Sequence, residues 1–231
     1  MNRQVVIPAG GMGKRLGESL PKALVPLCGE ALLLRTLSAF ATLGLADTAV
    51  IAIPDGYRDT FEGLLAGAFP GNKITLVDGG AERQDSVRNA LAALHEDTEF
   101  CAIHDAARPF ITAETIEVSF RAAEAHGAAT VAIPAIATVL LGDAQGFLQE
   151  TPDRDAVWFC QTPQTFRVDI IRAAHDEALA KEFQGTDDAT LVRRCGHAVK
   201  LVHGAPTNIK VTTPTDITIA EAFIEKGFPC A

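Results

Sequence analysis

Gln4-Val5-Val6-Ile7-Pro8-Ala9-Gly10-Gly11-Met12-Gly13-Lys14-Arg15-Leu16 opens the chain, with Lys22 close behind. Gln4–Pro8 is a short apolar run rich in β-branched residues, which predicts one buried strand. The glycines that follow let backbone N–H groups converge on an anion without Cβ obstruction. Lys14, Arg15 and Lys22 ring the loop with positive charge. A strand that runs straight into a cationic glycine loop puts a polyphosphate cradle at a strand's carboxyl end, where ligands sit on open α/β sheets.

Two familiar phosphate loops do not fit. A P-loop requires Gly where Pro8 stands and Ser or Thr where Arg15 stands. A dinucleotide loop opened at Gly11 requires Gly where Leu16 stands. The pattern that remains, G-G-x-G-x-R-L followed by P-K, resembles that of nucleotidyltransferases.

Outward from the loop, short apolar runs alternate with helical patterns. Helices are expected near Ala31–Leu43, Tyr57–Ala66, Asp85–Leu94 (behind an acidic cap) and Ala113–His126. Strands are expected at Thr48–Ile53, Ile74–Val77, Phe100–Ile103 and Thr130–Pro134. This alternation implies parallel strands with right-handed crossovers. It breaks at Ala135–Asp155, where Thr138–Leu141 and Phe147–Thr151 flank Gly142-Asp143-Ala144-Gln145-Gly146 as a β-hairpin. Such a hairpin, at about residues 136–155, interrupts the sheet and projects as an arm. A strand at Ala156–Cys160, helices near Val168–Ala180 and Asp187–Arg194, a strand at Ala198–His203 and a helix at Pro214–Lys226 complete a single domain over 1–231.

The 231 residues carry a formal charge of −9. That sign disfavours nucleic acid and anionic membrane as partners, so any phosphate site must be built by local cations. No apolar stretch approaches the ~20 residues of a membrane span. The five cysteines are widely spaced and form no C-x-x-C pair, which points to reduced thiols and a cytoplasmic protein.

Three further segments carry chemistry. His104-Asp105-Ala106-Ala107-Arg108-Pro109 ends a strand, where Asp105 suits ribose hydroxyls or a magnesium ion and Arg108 offers a forked donor to an anion. His104 reads as a structural hydrogen-bond partner. Asn208–Asp216 is expected to end a strand at Lys210 and start a helix at Pro214, with Lys210 and nearby hydroxyls facing phosphate. In Asp78–Val87 the glycines permit close backbone approach, and Ser86 in the first helical turn can meet a base edge.

Together these segments resemble the 2-C-methyl-D-erythritol 4-phosphate cytidylyltransferase family. The likeness covers essentially the whole chain, in order, through PAGGMGKRLG, LPKAL, DGGAERQDSV, IHDAARPF, QTPQTF and NIKVTTPTD. It implies an α/β fold: a Rossmann-like, mostly parallel sheet flanked by helices, of the nucleotide-diphospho-sugar transferase type, with a projecting β-arm. It implies transfer of CMP from CTP to 2-C-methyl-D-erythritol 4-phosphate, giving 4-diphosphocytidyl-2-C-methyl-D-erythritol and pyrophosphate in non-mevalonate isoprenoid precursor synthesis. By the same resemblance, Arg15, Lys22, Arg154 and Lys210 are catalytic. Ala9, Gly10, Gly11, Gly13, Gly80 and Ser86 frame the nucleotide base and loop, and Asp105 and Ala106 hold the ribose. Arg108, Thr162, Thr186, Lys210 and Thr212 bind the sugar phosphate, while Thr138 and Arg154 reach from the arm into a neighbouring subunit's site. Mg²⁺ or another divalent cation, with no protein ligand assigned, and a homodimer joined through the arm are also implied. One segment departs from the family. A charged R-D-T-x-K type run is replaced by Ala135-Ile136-Ala137-Thr138-Val139-Leu140, so this arm is expected to pack somewhat differently.

The chemistry suits these residues. A phosphomonoester has its second pKa near ~6, so it is already a dianionic nucleophile at neutral pH. Catalysis then consists of positioning and charge neutralisation. The rival readings are a ribitol 5-phosphate cytidylyltransferase or a sugar-1-phosphate nucleotidyltransferase, which share the first loop. A non-catalytic nucleotide-binding regulator is a rival of another class. Arg15, Lys22, Asp105, Arg108 and Lys210 occurring together argue against it.

Overall fold

The computed structural model describes residues 1–17 and 19–228, without the Lys14 side chain. The expected contribution of that side chain to the cradle therefore lies outside the described part, as does Cys230. The sheet strands are β1 (Arg3–Pro8), β2 (Val50–Ile53), β3 (Thr75–Asp78), β4 (Phe100–Ile103), β5 (Ala128–Pro134), β6 (Trp158–Arg167) and β7 (Lys200–His203). They form one seven-stranded sheet in the order β7-β5-β6-β4-β1-β2-β3. Only β6 is reversed. It pairs antiparallel with β4 and with β5, whereas the remaining neighbours pair parallel.

Alternation along the strands builds a core on each face. Val5, Ile7, Ile51 and Ile53 point to one side, where α1 (Leu32–Ala41), α2 (Arg58–Ala68) and α4 (Ala113–His126) bring Leu37, Phe40, Phe61 and Phe120. Val6, Val50, Ala52 and Ile103 point to the other, against α3 (Arg83–Ala92), α5 (Val168–Ala180) and α6 (Asp188–Arg194). A smaller cluster of Leu27, Leu32, Phe110, Val211 and Ala220 seats the last helix, α7 (Pro214–Glu225), beside the loop that follows β4.

The parallel strands deliver their loops to one rim, and β6 starts from that rim. Its first residue, Trp158, faces Pro134 at the end of β5, and Gln164 faces Ile103 at the end of β4. The expected Ala156–Cys160 strand thus starts later, at Trp158 after a 3-10 turn over Arg154–Ala156, and runs on through Gln161–Gln164 to Arg167. A register shift between Cys160 and Gln164 accommodates Pro163, which has no N–H for the ladder.

Two expectations need correction. Lys210 does not end a strand: β7 stops at His203, because Gly204-Ala205-Pro206 breaks the ladder. Lys210 instead lies on an irregular segment tied to the loop after β4 by Val211 N–H donating to the Ala107 carbonyl at 2.9 Å. The arm is also shorter than expected, with Leu141–Gly142 paired to Leu148–Glu150. Pro152 removes the donor needed to extend it, which leaves Thr138 outside any strand. The Asp143 carboxylate closes the arm's turn by accepting from the N–H groups of Gln145 and Phe147 and from Gln149 Nε2.

Candidate active site

A cavity of about 390 Å³ opens at the rim, between the loop after β1, the loop after β3, the loop after β4 and the Lys210 segment. The first loop doubles back on itself. Lys22 N–H donates to the Gly11 carbonyl at 2.9 Å and Gly13 N–H to the Leu20 carbonyl at 2.9 Å, so Arg15 and Lys22 both reach the cavity. The loop after β3 is pinned by Ser86, whose hydroxyl accepts from Gly80 N–H at 3.0 Å and donates to the Glu82 carbonyl at 3.1 Å. A Cβ on Gly80 would stand 2.1 Å from Asp85 Cβ, so no other residue allows this close approach. Glu82 and Asp85 form a reciprocal cap on α3.

Charge is organised around Asp105. Lys210 Nζ lies 2.8 Å from its Oδ2, Arg83 Nε 3.2 Å from its Oδ1, and Arg108 Nε 3.5 Å from Oδ2. Burial opposes ionisation of this carboxyl, but Arg83 and Lys210 outweigh it and hold Asp105 well below the usual carboxylate range. Burial, with Lys210 and Arg15 adding to it, pushes the Lys22 ammonium down to about 8. His104 is fully buried, which takes its imidazole down to about 4. Its ring nitrogens meet the Arg108 carbonyl at 3.2 Å and the Thr162 hydroxyl at 3.0 Å, and its edge packs against Phe40. It is a neutral strut that holds the Asp105–Arg108 turn, in agreement with its structural reading.

A glycine cradle, four cations (Arg15, Lys22, Arg83 and Lys210) and a buried carboxylate suit a nucleoside triphosphate. The model of the family described as "IspD: 2-C-methyl-D-erythritol 4-phosphate cytidylyltransferase" matches residues 4–226. The chain belongs to that family. It is 44% identical over 223 residues to the 2-C-methyl-D-erythritol 4-phosphate cytidylyltransferase of Symbiobacterium thermophilum, covering 96% of this chain and 92% of the relative. The enzyme of the same description from Caldanaerobacter subterraneus is 39% identical, over 98% of this chain and 100% of its own. Among solved structures, the 4-diphosphocytidyl-2C-methyl-D-erythritol synthase of Anaerococcus prevotii superposes with a TM-score of 0.86 at 30% identity, covering 97% of this chain and 96% of its own. The Thermus thermophilus cytidylyltransferase gives 0.80 at 33%, over 97% and 100%. The chain is therefore a nucleotidyltransferase of the non-mevalonate isoprenoid route, acting on CTP and 2-C-methyl-D-erythritol 4-phosphate.

Of the IspD-type residues expected from sequence, the cavity gathers Ala9, Gly10, Gly11, Arg15, Lys22, Gly80, Ser86, Asp105, Ala106 and Lys210. Gly13 is buried beneath them and shapes the loop rather than the lining. Arg108 and Thr162 stand just behind. Arg108 donates to the Asn208 carbonyl at 2.7 Å, and the Thr162 hydroxyl accepts from Asp105 N–H at 3.2 Å. Thr212 gives its hydroxyl proton to Asp216 at 2.7 Å, inside the cap of α7. Thr186 is exposed beside the α6 cap, and Thr138 and Arg154 are exposed on the arm; none of the three lines this cavity. Sequence reasoning passed over Arg83 and Glu82, which do line it. The available signal was a cation at the first position of a helix, where the macrodipole disfavours it unless carboxylates answer.

Proposed function

We propose that Arg15, Lys22 and Lys210 act as charge neutralisers for in-line attack of the methylerythritol phosphate on CTP. A phosphate oxygen forms a bond to the α-phosphorus, the bond from the α-phosphorus to the bridging oxygen breaks, and pyrophosphate leaves. The observation that carries this reading is the convergence of Arg15, Lys22 and Lys210 on one cavity with the glycine loop. The dianionic nucleophile needs no base, and His104 is buried and engaged on both nitrogens. Asp105 and Ala106 are read as the ribose contact. The Ala9, Gly10, Gly11 and Gly80 backbone, with Ser86, is read as the cytosine frame. Arg108 with Thr162, Thr186 and Thr212 is read as the sugar-phosphate side.

Asp105 and Glu82 are the carboxylates of the lining, and the described residues contain no cluster of three or more metal-ligating side chains. That donor set fits a magnesium ion that arrives on triphosphate oxygens and takes at most one or two carboxylates. When bound, such an ion screens the charge of the departing pyrophosphate.

The arm is read as the dimer contact. Ile136 is 88% and Phe147 70% exposed, and an isolated hairpin is marginal in water. In a dimer, Thr138 and Arg154 would complete the neighbouring cavity. Mixing Arg154→Ala with Arg15→Ala subunits then restores activity, since both defects fall in one of the two sites. Verified heterodimers without activity would place Arg154 in its own subunit's site. A cytoplasmic location is supported by four free thiols among the described residues.

The function is tested by pyrophosphate release with Mg²⁺, a nucleotide panel and a polyol phosphate panel. Methylerythritol phosphate should be preferred, and CTP should exceed UTP at least about tenfold, because a mismatched donor–acceptor pair in a buried base site costs ~1–3 kcal/mol. Preference for ribitol 5-phosphate, or equal rates with UTP, would redirect the assignment.

A further inference from the structure

Asp105 is held from two sides, and only one side belongs to the sugar-phosphate machinery. Lys210 and Arg108 approach its Oδ2. Its Oδ1 is met by Arg83 alone among the described side chains, at 3.2 Å. The other arm of the same guanidinium, Nη1, lies 2.8 Å from Asp188 Oδ2. Asp188 is 1% exposed and itself anchored. Its Oδ1 lies 3.1 Å from His175 Nε2, and its N–H donates to Gln164 Oε1 at 2.9 Å. His175 is also 1% exposed, within the core that α5 and α6 share.

The result is a row, His175–Asp188–Arg83–Asp105, running from the helical layer to the cavity, in which the half-buried Arg83 links buried partners. Arg83 suits its place because a planar fork can span two carboxylates in a fixed geometry, which a single ammonium cannot. Without it, Oδ1 loses its partner, and Lys210 and Arg108 hold the carboxylate through the other oxygen only. Side chains fixed by packing and by partners behind them are what keep a recognition group within a fraction of an ångström of its working geometry.

We propose that Arg83, braced by Asp188, is a positioning residue that orients the Asp105 carboxylate toward the ribose hydroxyls and thereby sets the preference for ribonucleotide over deoxyribonucleotide. This rests on the reading of Asp105 as the ribose contact. Arg83 acts through Asp105, so its loss should appear in how the sugar is discriminated and less in how the acceptor is bound.

The test measures kcat/KM for CTP, 2′-deoxy-CTP and 3′-deoxy-CTP in the full-length enzyme with Mg²⁺. A site built to hydrogen-bond a hydroxyl rejects the analogue that lacks it, so the wild type should prefer CTP over at least one deoxy analogue by about tenfold or more. Arg83→Gln should bring that ratio close to unity, as Asp105→Asn should, while KM for methylerythritol phosphate moves by less than about threefold. Arg83→Gln leaves Asp188 buried without its cation, so Arg83→Gln/Asp188→Asn is measured beside it. The double variant keeps the His175 contact and balances the charge, and it should lose discrimination to the same extent. Lost discrimination in Asp105→Asn but not in the folded Arg83 variants, even with slower turnover, overturns the proposal alone. A wild type that uses both deoxy analogues as well as CTP, or an Asp105→Asn variant that keeps the preference, overturns the ribose reading and the proposal with it.

Discussion

In the cavity, charge is answered by charge: Asp105 meets Lys210, Arg83 and Arg108, and Arg83 is shared with Asp188. The arm does the opposite. Ile136, Leu140, Phe147 and Leu148 stand 60% or more exposed, and its few hydrogen bonds close its own turn. A site for a transient polyanion has to be organised before the ligand arrives, because reorganising dipoles and charges during the reaction would raise the barrier. An apolar contact needs area and shape, which a second surface supplies on arrival. The Asp105 cluster is organised within the chain, whereas the apolar side chains of the arm have no cover there and are the surface proposed above for a second copy.

Substitutions in the two regions should therefore differ in kind. The largest effect is expected from Arg15→Ala, which removes a cavity cation on an exposed loop. Turnover should fall ~10²-fold or more, with thermal stability unchanged. Near-normal turnover would remove the charge-neutralisation account. Gly80→Ala comes next: its Cβ would overlap Asp85 Cβ at 2.1 Å, so the loop and the α3 cap must move. A stability loss of ~1–3 kcal/mol in a denaturant titration and a raised KM for CTP are expected. An unperturbed KM would separate the Gly80 backbone from the base.

The third effect is one of pH. Lys22 in the free enzyme is lowered to about 8, and the charge-neutralising role proposed for it requires the ammonium. The charge is present below that pH and lost as pH rises through it, so kcat/KM for CTP should decline above about pH 8. Lys22→Arg stays charged and should carry the alkaline limb upward, whatever it does to the absolute rate. An alkaline limb that Lys22→Arg leaves in place would assign it to another group. The smallest effect on the fold itself is expected from Phe147→Asp, on the arm. Unfolding of the isolated chain should change by no more than ~0.5 kcal/mol, since Phe147 is 70% exposed. Sedimentation should nevertheless show weakened self-association. A dimer indifferent to this change would move the interface elsewhere.

The alternation of apolar runs made the sheet legible, and Ala113–His126 and Val168–Ala180 are helices with the expected bounds. The first loop was legible because glycine and cation spacing is local chemistry. The strand end expected at Lys210 and the length of the arm were misread past local breakers, Gly204-Ala205-Pro206 and Pro152; the remaining misreadings had non-local causes. β6 continues past Cys160 because Thr165 and Phe166 find partners on β4 and β5, which no window of sequence contains. Lys210 reaches the cavity from an irregular segment because Val211 is tied to Ala107, far away in the chain. Arg83 escaped because its meaning lies in Asp105 and Asp188, which only folding brings to it.

The reversal of β6 has a bearing on how this chain can change over time. A parallel successor to β5 would force residues 135–157 to travel back to the opposite rim, and their length would be dictated by that journey. Here the chain leaves the sheet at Pro134 and re-enters at Trp158, directly opposite. The excursion is topologically free: it can be trimmed, lengthened or exchanged for another hairpin while Trp158 still finds Pro134 and every other register is undisturbed. The length of the excursion is thereby uncoupled from the registers of the sheet, and only the positions read as reaching a neighbouring site, Thr138 and Arg154, tie it to catalysis. A run such as Ala135–Leu140 can then exchange charge for apolar surface while the polyphosphate cradle stays as it was.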